Sequence, residues 1–371
     1  MKLENDNMNI PECSVSAIVE QLMLLYGGAL RARIPFRQMP AVFLWGAAGV
    51  GKSDAVKQFA DLLAASSGKR VHVSDVRVLL LSPTDFIGMP VADVKRKTAV
   101  WLRPSMFDMD PSDDLINILF LDELSAAPPS VQAAAYQITL DRRIGEYALP
   151  ENCIVIAAGN RTTDQSVAYK MPKALANRMM HYNVISDFAS WKEWAQRTGI
   201  DSRIIGYLSF DNSRLFAAPS SSEVAYTTPR TWSFLDCVLK AAGTKPLGSA
   251  GLHNAISACV GKDVAVEFLT WCSVYNELPN VEDIRRGVCA DYPKTQDALY
   301  ALSASLTEAV LAGGDGLPLT ELDNICAYVS RFPPDFALAF FQDLNRHEAV
   351  KLRLMRCRSL QSWMARNKRY L

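Results

Sequence analysis

The chain has 371 residues, with 39 Lys+Arg against 39 Asp+Glu and a formal net charge of 0. That balance excludes a polyanion binder held by bulk charge and an acidic solvating tail. An apolar fraction of 49% and a charged fraction of 21% place it with ordinary folded proteins, and the length suits two or three domains. The eight cysteines are scattered without a C-x-x-C pair, which argues against a zinc ribbon or a disulfide framework and suits a reducing compartment. No apolar run approaches the ~20 residues of a membrane span. Met1 to Ile10 is acidic and polar, unlike a signal peptide, so the expected location is the cytoplasm.

In chain order, residues 1–12 read as a loose leader. Ser14 caps a predicted helix with Ile18, Leu22 and Leu25 on one face, stopped by Gly27-Gly28. Ala41-Val42-Phe43-Leu44-Trp45 is a predicted buried strand, and the stretch Gly46-Ala47-Ala48-Gly49-Val50-Gly51-Lys52-Ser53 follows it directly. This is the spacing G-x-x-x-x-G-K-[ST]. A helical pattern comes next, beginning near Asp54, with Val56, Phe59, Ala60 and Leu63 on one face. Strand, glycine loop and helix are the context in which backbone N–H groups bind phosphate oxygens. Gly46 through Asp54 are therefore the candidate nucleotide contacts; Lys52 reaches the β- and γ-phosphates and the Ser53 hydroxyl binds Mg²⁺.

Val71, Val73 and Val76, followed by Val78-Leu79-Leu80-Leu81, read as a second strand region that becomes irregular at Pro83. Ile87 to Leu102 holds two short β-prone runs around the charged tip Lys95-Arg96-Lys97, which predicts a hairpin. Asn117-Ile118-Leu119-Phe120-Leu121 is a third strand and ends in Asp122-Glu123, the Walker B pattern. Carboxylates emerging at the C-terminal end of a buried parallel strand stand where such sheets bind ligands. Asp122 is the candidate metal residue with Ser53, and Glu123 the candidate for polarising the attacking water. A helix is predicted from about Pro129 to Asp141, and Ile154-Val155-Ile156-Ala157-Ala158 is a fourth strand ending in Gly159-Asn160-Arg161. An amide such as Asn160 can orient water without titrating, although Asn is also a good turn former. Lys173 to Met179 reads as a short helix carrying Arg178, and His181 to Ile185 as a strand. The β, α, β, α alternation implies a parallel sheet covered by helices on both faces.

After about Asp187 helical periodicity takes over. Trp191 and Trp194 fall on one helical face, and Phe210 to Ser222 reads as a polar loop. Thr228 and Pro229 suit the N-cap and first position of a helix that carries Arg230 in its first turn. The remainder, to Leu371, is helical and ends in a basic run: Arg346, Lys351, Arg353, Arg356, Arg358, Arg366, Lys368 and Arg369. A solvated helix face explains such a run; an anionic partner is the other reading.

The P-loop, the Asp-Glu Walker B, the strand-end Asn and two later arginines together resemble the AAA+ ATPases. The order of SPTDFIGMP, RRIGEYALPENCIVIAAGNR, ALANRM and TPRTW is similar to the MoxR-type branch, over about residues 36–290. The resemblance implies an α/β fold, a P-loop NTPase αβα sandwich with a parallel sheet, followed by a helical lid and a helical C-terminal extension. The implied division is a leader and helix over 1–35, an ATPase core over 36–187 with a hairpin insert near 87–102, a lid over 188–290 and an extension over 291–371. It further implies ATP and Mg²⁺ as cofactors and a homo-oligomer, a ring of six. By that likeness Asn160 is the sensor-1 residue, Arg178 the arginine finger entering the neighbouring subunit's site, and Arg230 the sensor-2 residue on the lid; all three count with Glu123 as catalytic. Many relatives continue Asn-Pro where this chain has Asn160-Arg161, so Arg161 is a second candidate for the finger. The hairpin matches an insert that faces the ring's pore or a partner. Relatives of this type often work with a von Willebrand factor A-domain protein, here necessarily a separate chain, on a protein client. Two other readings stay open at this point: a nucleic-acid-dependent motor or loader, suggested by the basic tail and the Lys95–Lys97 tip, and a scaffold in which ATP only gates assembly.

Overall fold

The computed structural model describes residues 9–161, 164, 169, 171–217, 219, 223–243, 245–247, 249–289 and 291–368. Most of the expected leader, part of the loop before Ser222, and Arg369 lie outside the described residues. The chain divides into two compact units, Met1–Asp187 and Phe188–Leu371. All eight cysteines are free thiols.

Among the described residues the first unit is built on ten strands: β1 (Glu12–Cys13), β2 (Ala41–Trp45), β3 (Arg70–Arg77), β4 (Met89–Asp93), β5 (Thr98–Leu102), β6 (Leu115–Asp122), β7 (Arg143–Ile144), β8 (Tyr147–Ala148), β9 (Cys153–Gly159) and β10 (Met179–Val184). Six form one parallel sheet in the order β1-β10-β2-β9-β6-β3. The central strands β2, β9 and β6 are buried almost throughout, which is why they read as unbroken apolar runs rather than alternating ones. The helices of this unit are α1 (Val15–Leu22), α2 (Gly28–Arg31), α3 (Lys52–Ser67), α4 (Pro83–Ile87), α5 (Pro129–Tyr136) and α6 (Lys173–Ala176). On one face Phe86 of α4, Val131 and Ala135 of α5, and Leu175 of α6 pack with Phe43, Leu119, Leu121, Val155 and Ala157 of the sheet. On the other face α3 buries Val56, Phe59 and Leu63, and α1 lies beside it. Helix, sheet and helix thus make the expected αβα sandwich with a parallel sheet.

Two local expectations are corrected. Gly27-Gly28 does not stop the first helix. The chain passes through a single π-helical turn, Met23–Gly27, into α2, and both glycines keep right-handed helical backbone. The extra residue in that turn accompanies the burial of Tyr26, which packs on Phe36 and Phe59 and donates its hydroxyl to the Pro40 carbonyl at 2.9 Å. The second strand region ends earlier than Val78-Leu81 suggested. β3 stops at Arg77, Val78–Leu80 is a 3₁₀ turn, and Pro83 opens α4 instead of starting irregular chain. Ser82 caps α4 by accepting from Asp85 N, while the Asp85 carboxylate accepts from Ser82 N at 2.7 Å, a reciprocal pair that fixes the helix start. The short strand β1 carries no apolar run of its own. It is a strand because the edge of β10 offers it a ladder, Glu12 opposite Asn183 and Cys13 opposite Val184.

The hairpin expected near 87–102 is present as β4 paired antiparallel with β5, and its side chains are largely exposed, Met89 at 69% and the tip residue Val94 at 84%.

Among the described residues the second unit is helical throughout, from α7 (Phe188–Thr198) and α8 (Ser202–Phe210) through α9 (Pro229–Ala242), α10 (Ala250–Val260), α11 (Lys262–Val274), α12 (Val281–Arg285) and α13 (Gln296–Gly313) to α14 (Leu319–Val329), α15 (Pro334–Asn345), α16 (Glu348–Leu354) and α17 (Arg358–Arg366). It has two cores. One gathers Trp191, Tyr207, Trp232, Phe268 and Trp271; the other gathers Tyr328, Phe340, Phe341 and Trp363. The long helix α13 supplies Ala301 to the first and Leu302 to the second. At the start of α9 the Thr228 hydroxyl accepts from Thr231 N at 3.1 Å, and the Thr231 hydroxyl accepts from Thr228 N at 2.8 Å. Replacing Thr228 with Ala removes one half of this cap, and because Thr228 is buried, water does not substitute for it. The variant is expected to lose about 1 kcal/mol of stability in urea denaturation, with native circular dichroism retained.

Candidate nucleotide site

β2 delivers its last residue, Trp45, directly into the loop Gly46–Gly51, which turns into α3. The turn needs glycine at both ends. Gly46 has φ of 149°, and a Cβ there would lie 2.6 Å from the Val184 carbonyl oxygen. Gly51 caps α3 with φ of 104°, and a Cβ there would meet Val15 at 2.8 Å. Between them Ala47, Ala48, Gly49 and Val50 form the loop, and Asp54 follows, exposed in the first turn of α3. A sixteen-residue helix thus begins at this loop with its unpaired N–H groups, an electropositive end suited to an anion.

Lys52 is buried, and its ammonium donates to Gly46 O at 2.6 Å, Ala47 O at 3.0 Å and Asn160 Oδ1 at 2.9 Å. The Ser53 hydroxyl donates to Asp122 Oδ2 at 3.1 Å, and the other oxygen of Asp122 accepts from Glu123 N at 2.8 Å. Glu123 has left-handed backbone, φ of 58°, where the chain leaves β6. Non-glycine residues rarely adopt this conformation, and it is a form of strain that clusters at functional sites. Asn160 is fixed from its backbone as well, because its carbonyl accepts from the Ser125 hydroxyl at 2.9 Å. The structure therefore brings together Lys52, Ser53, Asp122, Glu123 and Asn160 at the C-terminal ends of β2, β6 and β9.

Two predicted residues stand elsewhere. Arg178 follows α6 immediately before β10, and Met179 pairs with Ala41, the first residue of β2. The loop begins after Trp45, opposite Asn183, so Arg178, five residues earlier, sits about 17 Å back along the strand, at the opposite end of the sheet. Arg230 is exposed in the first turn of α9, in the second unit. Arg161, the other candidate finger, donates from Nε and Nη2 to Asp164 Oδ1 at 2.9 and 2.7 Å, while its backbone N–H donates to Oδ2 at 2.8 Å.

Sequence reasoning missed two neighbours of the site. Asp75 lies on the same face of β3 as Arg77, which pairs with Asp122. Partial burial pushes its carboxyl above the usual range, and the Asp122 charge pushes the same way, against Arg77 and Lys57. An acid in an otherwise β-prone run was the available signal. Ser125 gave no signal at all, since its role comes from packing: a Cβ on Gly159 would lie 2.4 Å from its hydroxyl oxygen.

The donor set fits Mg²⁺. Among the described residues no group of three His, Cys, Asp or Glu could hold a metal alone. One carboxylate and one hydroxyl suit an ion that keeps several waters and takes its remaining oxygens from a bound phosphate chain.

Comparison with known proteins agrees with this geometry. Residues 41–181 match the model of the ATPase family associated with various cellular activities (AAA). Chaperone MoxR1 of Mycobacterium tuberculosis (strain ATCC 25618 / H37Rv) is similar, 27% identical over 143 residues. That match covers 38% of this chain and 34% of the relative, so the chain spans about a third of that protein's length. Among solved structures, the HORMA:CdnC:Trip13 complex of E. coli MS115-1 is similar at a TM-score of 0.37 and 16% identity, over 66% of this chain and 86% of that one. NtrX of Brucella abortus in complex with ATP is similar at a TM-score of 0.37 and 11% identity, over 89% and 67%. The fold assignment rests on strand order and not on these scores. Fold and site define an α/β module with a P-loop, and the family match falls on residues 41–181 within it. Among the described residues no helix is long and apolar enough to cross a membrane.

The site is as tightly packed as the core beneath it. Gly159→Ala would drive a Cβ against the Ser125 side chain and to 3.0 Å from the Phe43 ring. A loss of about 1–3 kcal/mol in chemical denaturation is expected. Gly316→Ala, with nothing within 4 Å, is expected to change stability by less than about 0.5 kcal/mol in the same experiment.

Proposed function

We propose that the protein is an ATP-hydrolysing remodelling machine that works as a ring of subunits, six by the family likeness, on a protein client. The observation that carries the reading is the placement of Arg178. The phosphate loop, Walker B acids and Asn160 converge at one end of the sheet, while Arg178 lies about 17 Å away at the other. An arginine there is too far to serve its own loop, so on this reading it serves the site of a neighbouring copy.

Nucleotide enters at the α3 N-terminus. Lys52 exchanges the Gly46 and Ala47 carbonyls for β- and γ-phosphate oxygens, and its departure frees Asn160 Oδ1 to orient water. Ser53 and Asp122, already 3.1 Å apart, would hold Mg²⁺, which would supply charge neutralisation of the phosphates. Glu123 polarises the attacking water. Arg178 of the adjacent subunit meets the charge that builds on the equatorial oxygens, and Arg230 on the lid reports the nucleotide to the helical unit. Cycles of binding and hydrolysis then move lid against core and do work on the client. The exposed apolar side chains Met89, Val91, Val94, Trp101 and Leu102 of the β4–β5 hairpin suit a protein surface, whether the client or a separate von Willebrand factor A-domain partner.

The nucleic-acid reading loses support from the tail itself. Arg353 donates to the Gly314 and Leu317 carbonyls, Lys351 pairs with Glu348 at 3.1 Å, and Arg346 lies 4.0 Å from Asp343. Those charges are at least partly spent within the unit.

Turnover per subunit is expected to rise with protein concentration and to fall toward zero in the dilute, monomeric range; a flat profile would exclude an arginine supplied by a neighbour. Glu123→Gln is expected to bind ATP with unchanged affinity by calorimetry while turnover falls by about 10²–10⁴. Retained turnover would remove Glu123 as the base. Tight binding by the unaltered protein with no turnover, even beside its partner, would favour the ATP-gated scaffold.

A further inference from the structure

Trp45 ends the strand that feeds the phosphate loop, and its indole Nε1–H donates to His181 Nδ1 at 3.0 Å. The other ring nitrogen of His181, Nε2, lies 2.7 Å from the carbonyl oxygen of Ala176. These two contacts settle the tautomer. An indole N–H only donates, so Nδ1 must accept, and Nε2 must carry the proton that it gives to Ala176 O. Ala176 is the last residue of α6, and its carbonyl is one of those that a helix end leaves without an intrahelical partner. Two residues later comes Arg178.

The ring of His181 is held in place from its own side of the sheet. Its centroid lies 5.8 Å from that of Phe43 and 6.1 Å from that of Trp45, and Phe43 and Trp45 are 4.3 Å apart. Phe43 in turn abuts Gly159, the residue before Asn160. One packed set of three rings thus touches the end of the loop-bearing strand, the approach to Asn160, and the turn that presents Arg178. Neither the P-loop chemistry nor the core alone requires this arrangement. A polar His–Trp pair with a fixed tautomer, where two apolar side chains would fill the space, specifies direction as well as volume.

We propose that His181, oriented by Trp45, is a positioning residue for Arg178: it caps α6 and holds the finger at the angle from which it enters the neighbouring site. The inference rests on the trans reading of Arg178 given above. It makes the loop-bearing strand of one subunit and the finger which that subunit lends to the next parts of a single hydrogen-bonded chain, Trp45 to His181 to Ala176.

The test uses mixed assemblies of the full chain. A receiver, Arg178→Ala, keeps its own site and lacks the finger. A donor, Glu123→Gln, binds ATP without turnover and keeps the finger. Mixing them is expected to restore turnover; failure to restore it overturns the trans reading and this inference with it. With restoration in hand, His181→Phe placed in the donor is expected to lower the restored kcat by about 10–100-fold with KM for ATP unchanged. The same change placed in the receiver is expected to leave the restored rate within about two-fold, because the receiver's finger is already absent. Equal losses in donor and receiver, or a loss carried by KM, would mean that His181 only supports the fold and would overturn the proposal while leaving the trans finger intact. A second pair guards against misfolding of the Phe variant. Gln reproduces the Nε2 donor and Asn the Nδ1 acceptor, so His181→Gln in the donor should retain most of the restored rate and His181→Asn should not. The opposite order, or no difference, would overturn the assignment.

Discussion

A buried ammonium held by neutral oxygens is the constraint on which the site depends. Lys52 takes two carbonyls from its own loop and a third oxygen from Asn160, which directly follows the neighbouring strand β9. Taking a full charge out of water costs several kcal/mol even when hydrogen bonds compensate, and carbonyl dipoles compensate less completely than an anion does. The arrangement holds the loop beside β9. On the proposed reading an incoming triphosphate draws Lys52 to its phosphates, so its binding energy and the reorganisation of Asn160 are tied together through one side chain. The parallel order that sets β2 beside β9, and β9 beside β6, is what brings the Lys52, Asn160 and Asp122 ends of those strands together.

Much of this was legible in the chain, and for identifiable reasons. β2, β6 and β9 are central strands buried on both faces, so their sequences are continuous apolar runs that punctuation residues bound clearly. The loop and the Asp122-Glu123 pair follow those runs because ligand groups must emerge where a buried strand ends. Local capping chemistry read equally well at Thr228 and at Ser14, whose hydroxyl accepts from Ala17 N at 3.2 Å. What did not read out depends on contacts distant in sequence. Gly27-Gly28 has the composition of a stop, yet Tyr26 must face Phe36 and Phe59, and the helix bulges instead of ending. β1 exists only because β10 offers it an edge. Val78 to Leu81 has strand propensity, but the Ser82–Asp85 cap claims the following residues for a helix. Asp75 and Ser125 join the site through strand register and packing, and neither leaves a motif.

The same distinction separates the two candidate fingers. Arg161 follows Asn160 directly and looked close to the phosphates on sequence alone. Its guanidinium is engaged by the largely buried carboxylate of Asp164, which also accepts from the Arg161 backbone, so the pair closes a local turn. Breaking a bidentate pair of that kind costs more than an exposed ion pair returns, and the reach of Arg161 is limited accordingly. Arg178 sits in a short turn between α6 and β10 whose geometry is set by the sheet.

The position of Arg178 also constrains how copies can assemble. On the proposed reading, each molecule offers a nucleotide site at the C-terminal end of its parallel strands and a finger at the N-terminal end of β10. A two-fold interface can set finger against site only where one patch carries both, each contact then being made twice. Where finger and site lie on different patches the contact is head-to-tail, and repeated head-to-tail contacts either close into a ring or run on as a filament. Closure is the form in which every site receives a finger and no end is left unserved. On the same reading, an all-parallel sheet, with its two ends chemically different by construction, makes a single-chain nucleotide pocket depend on a neighbour for its finger.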